Sequence, residues 1–189
     1  MRNRAMRAVI SATMTAALAV AVSPAVAHAE ADDRAPIPIS VVLSQSKSLA
    51  ATPYAVRNRN SSKFLQADSL ANNAVVRQQN GSANALQGWF PVNDAGFVTL
   101  QNYGVVRNLG TAGASTASNT SAVIVNPSSS FDQDWLVTSI DSTFFYLKNR
   151  KNTSMCLGVD GASTAAGARA AVYTCANAIN QTWSFTNYP

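Results

Sequence analysis

The chain has 189 residues and a formal net charge of +5, with fourteen Lys and Arg against nine Asp and Glu, one histidine and two cysteines. The lone histidine, His28, lies so early that everything after Ala29 lacks imidazole, which excludes Ser-His-Asp triads, Cys-His pairs and His-ligated zinc. No metal-ligand cluster, phosphate loop or dinucleotide fingerprint is present, and neither metal nor cofactor is expected.

Residues 1–29 read as a secretory signal. Arg2, Arg4 and Arg7 form a basic start, residues 8–22 are small and apolar, and Ala27 and Ala29 make an A-x-A cleavage site. The apolar run is short for a span of about 20 residues, so a secreted, extracellular protein with no membrane attachment after cleavage is expected. Loss of the three arginines leaves eleven basic against nine acidic residues, a net charge of +2, and the case for a nucleic-acid partner falls away. Residues 30–52 form a leader: acidic, then Pro-interrupted, then rich in Ser and Ala. Within it, Ile39–Leu43 is expected to pair as an edge strand.

From residue 53 to 189 the chain repeats itself. Gln87-Gly88-Trp89, Gln133-Asp134-Trp135 and Gln181-Thr182-Trp183 hold all three tryptophans, and the glutamines lie 46 and 48 residues apart. Ahead of each pair comes a strand ending near an Asn, beginning at Tyr54, Phe97 and Phe144. A second strand follows (KFLQAD, VVRNLG, SMCLGV), then a loop of small residues, then a third strand (AVVRQQ, AVIVNP, AAVYTC). The Gln-x-Trp pair opens the fourth. Four short strands in each of three units give about twelve strands and an all-β protein; three units suit a closed threefold β-trefoil, whereas a propeller needs at least four blades. Gln and Trp two apart share a strand face. The indole goes to the core, and the amide beside it must bond backbone groups of its own turn. Cys156 and Cys175, an even pair in a secreted chain, read as a disulfide.

With these residues in view, 54–187 resembles the ricin-B-type lectins, the Gln-x-Trp β-trefoil family of carbohydrate-binding domains. The resemblance implies binding of galactose- or xylan-type sugars on glycans and polysaccharides, and a cysteine pair joining the second and third strands of a repeat. It also implies a site within one repeat: an aspartate after the second-strand Cys-Leu, an aromatic on the third strand, and the Asn-Gln that precedes Trp. In repeat three, Tyr173, Asn180 and Gln181 match, Gly158 stands in the aspartate slot, and Asp160 follows two residues later, positioned to substitute. The slots of repeat one read Gln66, Arg77 and Leu86, with Asp68 at the same offset as Asp160 and with Phe64 and Gln79 at the cysteine positions; those of repeat two read Gly110, Val125 and Asp132. Both are expected to be structural copies.

Two rival functions fit parts of the chain. A glycosidase needs paired carboxylates, for which Asp132 and Asp134, expected on one strand face, are the candidates; no enzyme activity is expected. A protein-binding trefoil, such as a protease inhibitor, would use the long loops at 110–121 and 160–169. Lys148, Arg150 and Lys151 form a basic group expected at a solvated hairpin end.

Overall fold

In a computed structural model, residues 34–45 and 52–189 are described. The expected signal segment lies outside them, as does the stretch 46–51. Each repeat supplies four strands. Repeat one holds β2 (Tyr54–Asn58), β3 (Phe64–Ala67), β4 (Ala74–Gln79) and β5 (Trp89–Asp94). Repeat two holds β6 (Phe97–Asn102), β7 (Asn108–Thr111), β8 (Thr120–Val125) and β9 (Asp134–Ser139). Repeat three holds β10 (Phe144–Asn149), β11 (Asn152–Val159), β12 (Ala170–Thr174) and β13 (Thr182–Asn187).

The pairings β2–β5–β6–β9–β10–β13–β2 close a six-stranded barrel. The hairpins β3/β4, β7/β8 and β11/β12 cap it, with β8 bonded to both β4 and β12 and an Arg77–Arg169 bridge completing the ring. Closure leaves the barrel strands without open edges. The threefold relation is visible atom by atom. Asn73, Asn119 and Gly167, all left-handed at φ 65°, 70° and 84°, occupy one turn position in successive hairpins. Their amides donate to the carbonyls of Ile124, Val172 and Gln78, each on the third strand of the next repeat, at 2.8 Å throughout.

The Gln-x-Trp pairs act as their chemistry requires. Trp89, Trp135 and Trp183 are fully buried. Their indole Nε1 atoms donate to Leu65, Leu109 and Leu157 carbonyls at 3.0, 3.0 and 2.9 Å. Each glutamine closes a three-residue 3₁₀ turn. Nε2 of Gln87, Gln133 and Gln181 donates to the carbonyls of Asn80, Asn126 and Thr174, while Oε1 accepts from the amides of Ser82, Ser128 and Ala176. The asparagines ending the first strands complete the device. Buried Asn58, Asn102 and Asn149 donate to the carbonyls of Asn180, Leu86 and Asp132, so each repeat's Gln-x-Trp turn is held by the strand that follows it around the barrel. The Cys156–Cys175 disulfide forms.

The leader departs from expectation. The strand it contributes is β1, Pro36–Ile37, paired with Thr186 and Phe185 of β13, while Ile39–Gln45 forms a short helix, α1. Pro38 lacks the N–H that would continue a ladder. Ile39, Val42 and Leu43 follow an i, i+3, i+4 spacing that puts all three on one helix face. Ile39 and Val42 are buried, and Leu43 packs against the same core. Residues 36–45 thus cover the trefoil rather than trail from it.

Candidate functional site

Repeat three gathers its candidate residues around Gly158. A β-carbon there would stand 2.9 Å from Gln181 Cγ, 3.5 Å from Tyr173 Cδ2 and 3.6 Å from the Asn180 carbonyl. Gln181 is 3% exposed and tethered at both ends of its amide, so its methylenes occupy the slot where the family pattern expects an aspartate. The carboxylate is supplied from two residues further on. Asp160 opens a 3₁₀ turn after β11, anchored by its amide to the Arg169 carbonyl at 2.9 Å.

Asp160 Oδ1 accepts from the Tyr173 hydroxyl at 2.8 Å, and Oδ2 accepts from Arg169 Nη2 at 3.1 Å. The Tyr173 bond, followed by the Arg169 bond, lowers the Asp160 pKa below the ordinary carboxylate value. Burial, then the bond to Asp160, raises the Tyr173 pKa above that of a free phenol. The carboxylate is therefore ionised and the phenol protonated across the neutral range. A carboxylate offers about four acceptor positions, so Asp160 keeps acceptor capacity beyond its bonds to Tyr173, Arg169 and the Gly161 amide. Asn180 directs Nδ2 to the Val159 carbonyl at 3.1 Å, and among the described residues no hydrogen bond engages its Oδ1. The result is a half-buried aromatic ring bordered by acceptors, an arrangement suited to a flat molecule with one apolar face and a rim of hydroxyls.

Two members of this cluster were not among the sequence candidates. Asn119 comes from repeat two; its Oδ1 accepts from the Tyr173 hydroxyl at 3.1 Å and also from Arg169. Arg169, just ahead of β12, further binds Ser121 Oγ at 2.8 Å. The readable signal for Asn119 is its place in the left-handed hairpin turn shared with Asn73, but its reach across repeats has no local signature.

The strand register corrects one alignment. Cys156 pairs with Tyr173, Phe64 with Gln79 and Asn108 with Val125. The residue of repeat one equivalent to Tyr173 is therefore Gln79, not Arg77, and Gln79 is not at a cysteine position. Arg77 instead pairs with Asp68 at 2.7 Å and donates to the Gly167 carbonyl at 3.1 Å. Gln66 fills the aspartate slot and accepts from Gln87 Nε2 at 2.8 Å. In repeat two, Asp132 Oδ2 would lie 3.1 Å from a β-carbon on Gly110, and Val125 closes the other side.

Asp132 and Asp134 do not form a carboxylate pair on a strand face. Asp132 sits in the 3₁₀ turn, 2% exposed, accepting from Thr111 and Ser130, whereas Asp134 begins β9 and binds Thr99 and Arg150. The basic group is likewise engaged. Arg150 lies between the Phe97 and Phe131 rings and bonds both Asp94 and Asp134, and Lys151 donates to the Ala114 carbonyl. Loop 160–169 is sewn to repeat one: Gln78 Nε2 donates to Ser163 and Ala165 carbonyls, and Asn60 Nδ2 to that of Ala162.

Residues 131–189 match the family model described as ricin-type beta-trefoil lectin domain-like. No curated protein matches the sequence. Among solved structures, the designed 3-fold symmetric protein ThreeFoil is similar with a TM-score of 0.69 and 25% identity over 71% of this chain and 98% of its own. An exo-β-1,3-galactanase from Clostridium thermocellum gives a TM-score of 0.70 at 22% identity, over 74% of this chain but 31% of the galactanase. A ricin B-like lectin from Macrolepiota procera, solved in complex with lactose, gives 0.62 at 18% identity, over 74% and 99% of the two chains. The fold implied by the Gln-x-Trp pairs is present, a β-trefoil, and residues 131–189 are similar to the ricin-type lectin domains.

Proposed function

We propose that this β-trefoil is a secreted, non-enzymatic carbohydrate-binding module that holds a galactose- or xylan-type sugar against its third repeat. The observation that carries this reading is the Asp160–Tyr173 pair, an ionised carboxylate bonded at 2.8 Å to a half-buried phenol beside the Asn180 Oδ1. In this reading the sugar's apolar face lies on the Tyr173 ring. Two of its hydroxyls donate to Asp160 and a third to Asn180. Gln181 holds the turn that presents Asn180. Further support comes from the family match, whose residues 131–189 include the whole of repeat three. The lactose in the Macrolepiota procera complex supports the class of ligand. Secretion is supported by the signal-like start and by the cysteine pair.

Retention of the mature protein on immobilised galactose or xylan, competed by free sugar, tests the proposal. Tyr173→Ala should abolish retention while leaving the thermal transition within a few degrees. Retention that survives this substitution would place the site elsewhere. Absence of retention together with inhibition of a secreted protease would replace the lectin reading with the protein-binding one.

A further inference from the structure

A second feature lies on the face of β13 that carries Ser184 and uses none of the proposed sugar-binding side chains. Ser184 pairs with Phe144 of β10 on one edge and with Arg57 of β2 on the other, so the three side chains share one face of the sheet. β10 ends its pairing with β13 at Phe144, and β1 takes over the same edge at Ile37 opposite Phe185. Beside this junction lies a cleft of about 60 Å³ lined by Pro36, Arg57, Arg59, Ser62, Phe144 and Ser184, with the buried Asn58 behind. Pro36 comes from the leader, so the three repeats alone do not build this cleft. It falls far below the roughly 300–1,000 Å³ typical of drug-sized ligands and suits a small group rather than a whole sugar ring.

Its chemistry is cationic. Arg59 lies with its guanidinium carbon 4.3 Å from the Phe144 ring centroid, and among the described residues no hydrogen bond or ion pair engages it. Stacking fixes the plane of the guanidinium and leaves its donors pointing outward. Arg57 is held by the carbonyls of Ser62 and Arg34, both at 3.2 Å, through Nε and Nη1, and among the described residues Nη2 has no partner. Ser184 is 1% exposed, and its side chain lines the cleft. Among the described residues no carboxylate lines the cleft. The nearest one coupled to Arg59 is Asp141, whose Oδ1 accepts from the Thr143 and Phe144 amides and the Thr143 hydroxyl.

We propose that this cleft is a binding site for an oxyanion, the carboxylate of a uronic-acid sugar or a sulfate group. Arg59 and Arg57 Nη2 provide the donors, and the Ser184 hydroxyl supplies a third. The proposal does not depend on the repeat-three site. It is tested by calorimetric titration of the mature protein with glucuronate, galactose 6-sulfate, inorganic sulfate and neutral glucose at a constant ionic strength of about 0.15 M. Saturable binding of at least one anion, none of glucose, and a loss of about tenfold or more in Arg59→Ala are expected. Ser184→Ala should weaken the same anion by less, and Tyr173→Ala should leave it unchanged. Inorganic sulfate binding as tightly as either sugar would identify the oxyanion alone as the ligand, at the same arginines. Absence of saturable anion binding, or binding unaltered by Arg59→Ala, would overturn the proposal.

Discussion

Repeats one and three start from the same frame and end with different surfaces. Asp68 and Asp160 leave their second strands at the same offset, each anchored by a 2.9 Å amide bond, to the Val75 and Arg169 carbonyls respectively. In repeat one, the aspartate is matched by Arg77 and the third strand presents Gln79, so the carboxylate closes an ion pair and no ring stands beside it. In repeat three, Tyr173 occupies the equivalent of Gln79, and its hydroxyl meets Asp160 directly. The slot beneath is also settled differently. Gln66 bonds Gln87 in repeat one, whereas Gly158 leaves room for the Gln181 methylenes in repeat three. A shared aspartate position is therefore a property of the frame. What differs around it is the third-strand residue and the absence of a side chain at the second-strand slot.

The strongest test of the shared frame is removal of its indoles. Trp89→Ala and Trp183→Ala should each cost about 3–5 kcal/mol in chemical denaturation, because each leaves a core cavity and a leucine carbonyl without its donor. Costs differing by more than about 2 kcal/mol would show that the repeats are not equivalent. A smaller effect is expected where the two slots diverge. Gly158→Asp restores the residue of the family pattern but drives Cβ to 2.9 Å from a glutamine side chain tethered at both ends. It should destabilise by about 1–3 kcal/mol without strengthening sugar retention. Tighter retention at unchanged stability would mean that Gln181 yields readily. Smaller still is the ion pair of repeat one. Both partners are more than a third exposed, so Arg77→Ala should cost under about 1 kcal/mol by thermal melting and leave retention unchanged.

The last expectation is a flat profile. Because the Asp160 pKa is lowered, its ionised form and whatever it contributes persist above the ordinary carboxylate pKa and are lost only as pH falls through the lowered value. Retention should be constant between about pH 5 and 8 and decline only below the ordinary carboxylate value of about 3.9. A midpoint near pH 6 would remove Asp160 from the role assigned to it.

The amino-acid sequence by itself determined the three-unit all-β architecture, the twelve strands of the repeats and the inward tryptophans. Those features are encoded locally, in strand alternation, in turn residues and in a Gln-x-Trp pair whose amide bonds its own loop. Tyr173 and Asp160 were legible through their offsets within one repeat. Only the tertiary structure decided that Gln79 rather than Arg77 corresponds to Tyr173, because equivalence follows hydrogen-bond register across a hairpin whose loop lengths differ between repeats. It also brought in Asn119, 54 residues from the Tyr173 hydroxyl that it accepts from, and folded Ile39–Gln45 as a helix over the core. Contacts between repeats arise from closing the barrel, and no spacing within a single repeat records which side chains that closure will bring together.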